Sequence, residues 1–284
     1  MCHQPSRKRR DAGQETRRRA AMCRWHMLAV VAAVLLGARG VLADSISLSA
    51  AVSLKEGVTD VAKAFEAETH DHVDFTFGSS GQLAAQIRSG APVDLFISAA
   101  NKEVDDLSKA GVVDDATRRI VAGNELVLIV PPDSKTHLSS FEQLKDPATK
   151  RVAIGEPKTV PAGQYAMQVL TGLKLENDLN DRLIYGLNVR QVLDYVERGE
   201  VSAGIVYATD ALQAGQKVKV VATAKASMHE PVVSPAIVIK ASNKKALAGR
   251  FLDYLLSDKG QSALAAHGFT KAAEAAPAAA PAHQ

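Results

Sequence analysis

Cysteine is almost missing from this sequence: of 284 residues only Cys2 and Cys23 carry a thiol, and both precede residue 44. Beyond that point a disulfide framework, a Cys metal site and a cysteine nucleophile are excluded. No Cys stands at positions 43 or 44, so a lipid anchor on cysteine is not expected there. Tryptophan is as scarce, with Trp25 the sole example. Long apolar runs are missing too. The longest, 27–37, has 11 residues, whereas a membrane-spanning helix needs about 20.

Positive charge is scarce where it would matter. The formal net charge is +3, but residues 1–43 hold nine of the 34 basic residues and two of the 31 acidic ones. The remainder carries 25 basic against 29 acidic residues, a net of −4. A nucleic-acid-binding role therefore loses its electrostatic support.

What is present at the start reads as a secretory signal: a basic stretch, the short apolar run 27–37, then Val41-Leu42-Ala43 as a small-residue cleavage site before Asp44. The basic stretch is longer than a signal needs, and Met22 with Arg24 would open a compact one. The expected location is thus periplasmic, after cleavage near Ala43-Asp44. At the other end, 272–284 is Ala/Pro-rich without apolar periodicity and reads as a disordered tail.

From Asp44 short apolar strands alternate with amphipathic helices. The string SISLSA (45–50) alternates as a strand, and Leu54, Val58, Val61, Ala62 and Phe65 stripe a helix over 54–68. Strands follow at 73–77, 94–98, 125–130, 152–154, 203–207, 218–222 and 236–239. Helices are expected from 83, up to about 109, at 163–172, from Val189, and at 244–257 and 258–266. Repeated βα order predicts an α/β fold of mainly parallel sheets flanked by helices. Joins near 123 and 230 divide it into one lobe of 44–123 with 232–271 and a second of 124–231, with a ligand cleft between them.

Four strand-to-helix turns share one design: Ala51-Val52-Ser53-Leu54, Gly78-Ser79-Ser80-Gly81, Val160-Pro161-Ala162-Gly163 and Leu187-Asn188-Val189. Each offers small, hydroxyl, Gly or Pro residues at a helix start, and none contains a cation. A helix start presents unpaired N–H groups and a partial positive charge, so it can hold an anion without a basic residue. Four such turns predict a cradle for a small oxyanion.

Each feature also has an ordinary structural explanation. Ser53, Ser79 and Ser80 could be helix caps, Pro161 a helix-opening residue, and Tyr207 a core aromatic with a satisfied hydroxyl. Arg190 is expected to be solvated or salt-bridged rather than a ligand. His70-Asp71-His72 lies between a helix and a strand, where a solvated loop is expected rather than a metal site. Asp94 and Asp210 lack a nearby partner acid or base, and Asp210 is expected to brace the turn after Tyr207.

Five strings resemble, in order, the periplasmic molybdate-binding proteins of ABC importers. They are Ala50-Ala51-Val52-Ser53-Leu54, Gly78-Ser79-Ser80-Gly81-Gln82-Leu83, the stretch 90–99 (GAPVDLFISA), Val160-Pro161-Ala162-Gly163-Gln164-Tyr165-Ala166 and Gly204-Ile205-Val206-Tyr207-Ala208-Thr209-Asp210. His267-Gly268-Phe269 also looks like the family's ending, and the similarity runs from about Ser47 to Phe269. The resemblance implies a two-lobed "Venus flytrap" fold and a molybdate or tungstate ligand. It maps the ligand contacts onto Ser53 and Ser80, main-chain N–H groups of Ala162 and Val189, and Tyr207. It implies no catalytic residue, no cofactor and no direct protein–metal bond, since molybdenum enters only as its oxyanion. The implied partner is an inner-membrane ABC permease with its ATPase, served by a monomer. One departure is Gly81, where the family often has a third hydroxyl; either Ser79 or Ser80 could supply the side-chain donor. The alternatives are a binder of sulfate, phosphate or an organic anion, an extracytoplasmic sensor module, and a secreted hydrolase using Ser53 or Ser80. The hydrolase would need His and Asp beside the serine, and neither turn follows a Gly-x-Ser-x-Gly elbow.

Overall fold

A computed structural model describes residues 43–271. The expected signal segment up to residue 42 and the expected tail from 272 lie outside the described residues. In chain order the strands are β1 (Ser45–Ala51), β2 (His72–Gly78), β3 (Leu95–Ile97), β4 (Val113–Gly123), β5 (Leu126–Val130), β6 (Val152–Gly155), β7 (Leu183–Gly186), β8 (Ala203–Tyr207), β9 (Lys219–Thr223), β10 (Val233–Ile239) and β11 (Thr270–Lys271). The helices are α1 (Lys55–Thr69), α2 (Ser80–Arg88), α3 (Asn101–Lys109), α4 (Pro161–Gly172), α5 (Glu176–Leu179), α6 (Val189–Glu197), α7 (Ala208–Ala214), α8 (Lys245–Leu256) and α9 (Asp258–Ala266).

The strands form two sheets, ordered β11-β4-β10-β3-β1-β2 and β7-β6-β8-β5-β9. The chain passes from the first to the second between Gly123 and Leu126 and returns between Thr223 and Val233. At the crossing, Asn124 N–H donates to Val232 O at 3.0 Å, which ties the two connections side by side. The α/β, two-lobed expectation stands, but each sheet is mixed rather than mainly parallel. β1 runs parallel to β2 and β3, while β10 runs antiparallel to β3 and β4. In the second sheet β6 is parallel to β7 and β8, and β5 is antiparallel to β8 and β9. β4, β5, β9 and β10, which flank the crossings, all pair antiparallel, and β11 adds a short antiparallel edge on β4.

Burial follows the apolar pattern. In β3, Phe96 faces Leu83, Ile87 and Leu107 of α2 and α3, while Leu95 and Ile97 join the core under α1. On α1, Val58, Val61, Ala62 and Phe65 form the buried stripe, and Phe65 meets Phe251 and Tyr254 edge-on at 5.2 and 5.4 Å. The helix stops at His70, whose φ of 63° is left-handed and whose N–H closes onto Glu66 O.

In the His70-Asp71-His72 stretch both histidines are exposed, as expected, and only Asp71 departs from that. Asp71 is buried and pairs with Arg250 at 2.6 Å, and His72 opens β2 with Nδ1 2.7 Å from Glu66. Among the described residues no group of His, Cys, Asp and Glu is arranged to hold a metal ion, and no helix is long and apolar enough to cross a membrane. Asp94 is a brace: its Oδ2 accepts from Ser47 N at 2.8 Å and its Oδ1 from Ser242 Oγ at 2.5 Å.

Candidate functional site

Parallel strands leave their C-terminal ends facing the other lobe, and there the helix starts converge. After β1 the chain tightens into a 3₁₀ turn, Val52–Leu54, which buries Ser53. After β2, Ser79 takes an extended conformation and opens α2 without capping it by its side chain. The Ser79 Oγ is buried with no hydrogen-bond partner among the described residues. Ser80 is fully buried, and its Oγ accepts the Ala99 N–H at 3.0 Å. That bond uses one lone pair and leaves the Ser80 O–H free to donate.

The second lobe contributes main-chain donors. Pro161 opens α4 at a position where its missing N–H costs nothing. Gly163 lets that helix start sit directly on β6, because a Cβ there would lie 2.0 Å from Gly155 O. Gly163 and Gln164 both donate to Val160 O, and the N–H of Ala162 lies in the first turn, where a helix supplies no acceptor of its own. At α6, Asn188 Oδ1 accepts from Gln191 N at 3.1 Å, and Gln191 Oε1 accepts from Leu187 N at 2.6 Å. This reciprocal cap orders the turn and places the Val189 N–H at the first helical position, where the helix supplies no acceptor. Tyr207 ends β8, and its hydroxyl donates to Ala99 O at a long 3.4 Å.

All five residues mapped from the resemblance, Ser53, Ser80, Ala162, Val189 and Tyr207, line one cavity. Val52, Gly78, Ser79, Ala99 and Asn188 share it. No lining residue carries a charge: burial drives the Tyr207 hydroxyl well above its ordinary pKa, so it stays a donor. No histidine or carboxylate lines the cavity, so a serine there has no base beside it. The cavity volume is about 10 Å³, far below the roughly 300–1,000 Å³ of pockets for drug-sized molecules. As closed here, the cavity has no room for an organic substrate.

Ala99 was not legible as a site residue, yet its N–H orients Ser80 and its carbonyl takes the Tyr207 hydroxyl. Its only signal is membership of the 90–99 string. Gly81 has a physical reason to be glycine: a Cβ there would lie 2.6 Å from Thr159 O and 2.7 Å from Thr159 Cα, across the cleft. Its N–H donates to that carbonyl at 2.9 Å, so the amide is committed to the other lobe rather than free for a ligand.

Arg190 is salt-bridged, as expected, and takes no part in lining the cavity. Its Nη2 lies 2.6 Å from Glu56 Oε2 on α1, and its Nε 2.7 Å from Asp210 Oδ1 on α7. The Asp210 carboxylate is fully buried, and neither oxygen has a well-angled hydrogen bond. Its pairing with Arg190 is therefore electrostatic rather than directional. Burial pushes its pKa up to about 7, with Arg190 pulling the other way. On the far flank, Gln164 Nε2 donates to Glu103 Oε1 at 2.7 Å, and Ser98 Oγ to Glu103 Oε2 at 3.3 Å. Burial raises the pKa of Glu103 as well.

Several known proteins are similar to this chain. Residues 46–270 match the model of a family described as bacterial extracellular solute-binding protein. The chain is 38% identical to the molybdate-binding protein ModA of Escherichia coli K12 over 259 residues, covering 87% of this chain and 98% of that one. It is also 38% identical to the molybdate-binding protein ModA of Haemophilus influenzae over 229 residues, covering 79% and 89%. The solved structure of the periplasmic molybdate-binding protein of Azotobacter vinelandii superposes with a TM-score of 0.72 at 26% identity, covering 79% and 98%.

Proposed function

The chain belongs to the bacterial extracellular solute-binding protein family, and on that premise we propose that it captures molybdate, and tungstate with it, and hands the ion to an inner-membrane ABC permease. The observation that carries the reading is a buried interlobe cavity lined only by neutral groups, among them the Ser79 hydroxyl, which has no hydrogen-bond partner among the described residues. A tetrahedral dianion offers only acceptors, so a set of donors is its complement. The Ser53, Ser79, Ser80 and Tyr207 hydroxyls can turn their hydrogens inward, and the Ala162 and Val189 N–H groups cannot accept. Each charge-assisted bond contributes about 1.5–3 kcal/mol net, and each helix start about 0.3–1 kcal/mol. Five or six such contributions offset desolvation of the ion and leave the roughly −8 kcal/mol that a micromolar Kd requires.

The same reading makes the protein a monomer released to the periplasm by cleavage near Ala43-Asp44, with an ATPase-driven permease as its partner. It binds without chemistry, since no general base reaches the cavity serines.

Thermal unfolding of ligand-free mature protein tests the proposal. Ligand that binds only the folded state adds stability by mass action, about 2.7 kcal/mol at a hundredfold excess over Kd. Molybdate and tungstate should raise Tm, and sulfate at the same concentration should not. An equal rise with sulfate would move the assignment to a general oxyanion binder, and no rise with any of them would end it.

A further inference from the structure

Arg190 sits one residue past Val189, yet its side chain points away from the cavity and into the seam between lobes. Its Nε rests 2.7 Å from the buried Asp210 of its own lobe, while Nη2 crosses to Glu56 of the other lobe at 2.6 Å. Glu56 belongs to the first turn of α1, directly after the Ser53 turn. Along the same seam Leu212 of α7 lies against Gly268, close enough that a Cβ there would be 2.8 Å from its Cδ2. Both ends of the crossing pair are more than two-thirds buried.

We propose that Arg190 is an interlobe latch: anchored on Asp210, it holds Glu56 and thereby sets how long the cleft stays shut on its ion, without touching that ion. The inference rests on the molybdate reading given above. Three features assign this role rather than ordinary surface pairing. The guanidinium contacts two carboxylates on different lobes, so opening the cleft must break one of them. The anchor is a fully buried acid of Arg190's own lobe, so the guanidinium keeps one counter-charge when Glu56 is released. The pair is also adjacent in sequence to two elements of the cradle, the Ser53 turn and the α6 start, so the movement that brings Val189 to an ion brings Arg190 to Glu56.

A latch that engages only in the closed form should act on release and leave capture alone, because interface contacts of this kind act mainly on the off-rate. Exchange of isotopically labelled molybdate from the full mature protein into excess unlabelled molybdate measures release, and uptake measures capture. Glu56→Gln keeps the fold and the Arg190–Asp210 pair but weakens the crossing bond. It should speed release by about five- to tenfold, with uptake changed less than about twofold. Wild-type release should quicken with rising salt, while the variant's release should be nearly flat, since screening acts on the pair it has lost. Arg190→Lys, which retains the charge beside Asp210 but not the fork, should release at an intermediate rate. Release by Glu56→Gln within twofold of wild type would overturn the latch, as would a slowed uptake with unchanged release. Wild-type protein that retains no labelled molybdate would instead overturn the reading of the cavity.

Discussion

Replacing Gly81 by alanine separates closure of the cleft from stability of the fold. The added Cβ would meet Thr159 O at 2.6 Å and Thr159 Cα at 2.7 Å, and both are backbone atoms that cannot rotate away. Bringing the nearer contact out to the 3.4 Å of ordinary packing needs a separation of about 0.8 Å between the lobes at this point. That movement breaks the Gly81 N–H to Thr159 O bond, now 2.9 Å. Losing the bond costs about 0.5–1.5 kcal/mol, and the overpacking about 1–3 kcal/mol. Together these weaken ion binding by about tenfold to a thousandfold. Opening the cleft relieves the contact, so ligand-free protein should not suffer. Alanine in the first turn of α2 would if anything add up to about 1 kcal/mol through helix propensity. Calorimetric titration should therefore show weakened molybdate binding, while urea unfolding of ligand-free protein shows an equal or higher midpoint. Gly81→Ser, which would supply the third hydroxyl common in the family, should fare no better. Binding by Gly81→Ala within twofold of wild type would refute the reasoning, and a loss of stability matching the loss of affinity would place the fault in the fold.

Ser80→Ala should weaken molybdate binding by about 1.5–3 kcal/mol, because the hydroxyl held by Ala99 is a donor to a charged ligand; calorimetry reads the change, and an unchanged Kd would leave Ser79 as the donor of that turn. Asp210 carries a pH signature: its folded pKa is about 7 against an ordinary 3.8, with Arg190, Glu56 and the Tyr207 N–H facing it. Its contribution to stability is full below about pH 4 and lost as pH rises through about 7, by up to about 4 kcal/mol. Asp210→Asn should flatten this fall in urea unfolding between pH 5 and 8, apart from the slope of the same sign that the raised pKa of Glu103 contributes. An unaltered slope would show that Asp210 does not titrate in that range.

The sequence carried those parts of the molecule whose cause is local. Apolar stripes such as Val58, Val61, Ala62 and Phe65 mark a helix because its neighbours on one face lie three and four residues apart. β4 escaped notice for the opposite reason. Asp114, Asp115, Arg118 and Arg119 interrupt any alternation over 113–123, and its pairing with β10 shifts register twice, so no simple period survives. β7 is a four-residue edge strand with an exposed Tyr185, too short and too open to show. The mixed direction of the sheets also eluded the pattern, because β10 and β5 read as apolar runs whichever way they point.

At the site, the turns were visible because helix starts need particular residues. What joins them was not. The bond from Ala99 to Ser80 spans 19 residues, and the pair of Arg190 with Glu56 spans 134. Arg190 could be set aside as a ligand from sequence, but its partners could be named only once both lobes were in place. Gly81 was legible as a departure from the family, while its cause, the backbone of Thr159 on the other lobe, belongs to three-dimensional packing alone.

The central claim is that neutral donors alone hold a dianion in the cleft. Titration of ligand-free mature protein with molybdate, followed by calorimetry, tests it most directly. The account predicts saturable 1:1 heat with a Kd of about 1 μM or tighter, and binding that persists when Arg190 is replaced by glutamine, weakened only by the faster release. Absence of binding heat in wild type would contradict it, as would a loss with Arg190→Gln equal to or greater than that with Ser80→Ala.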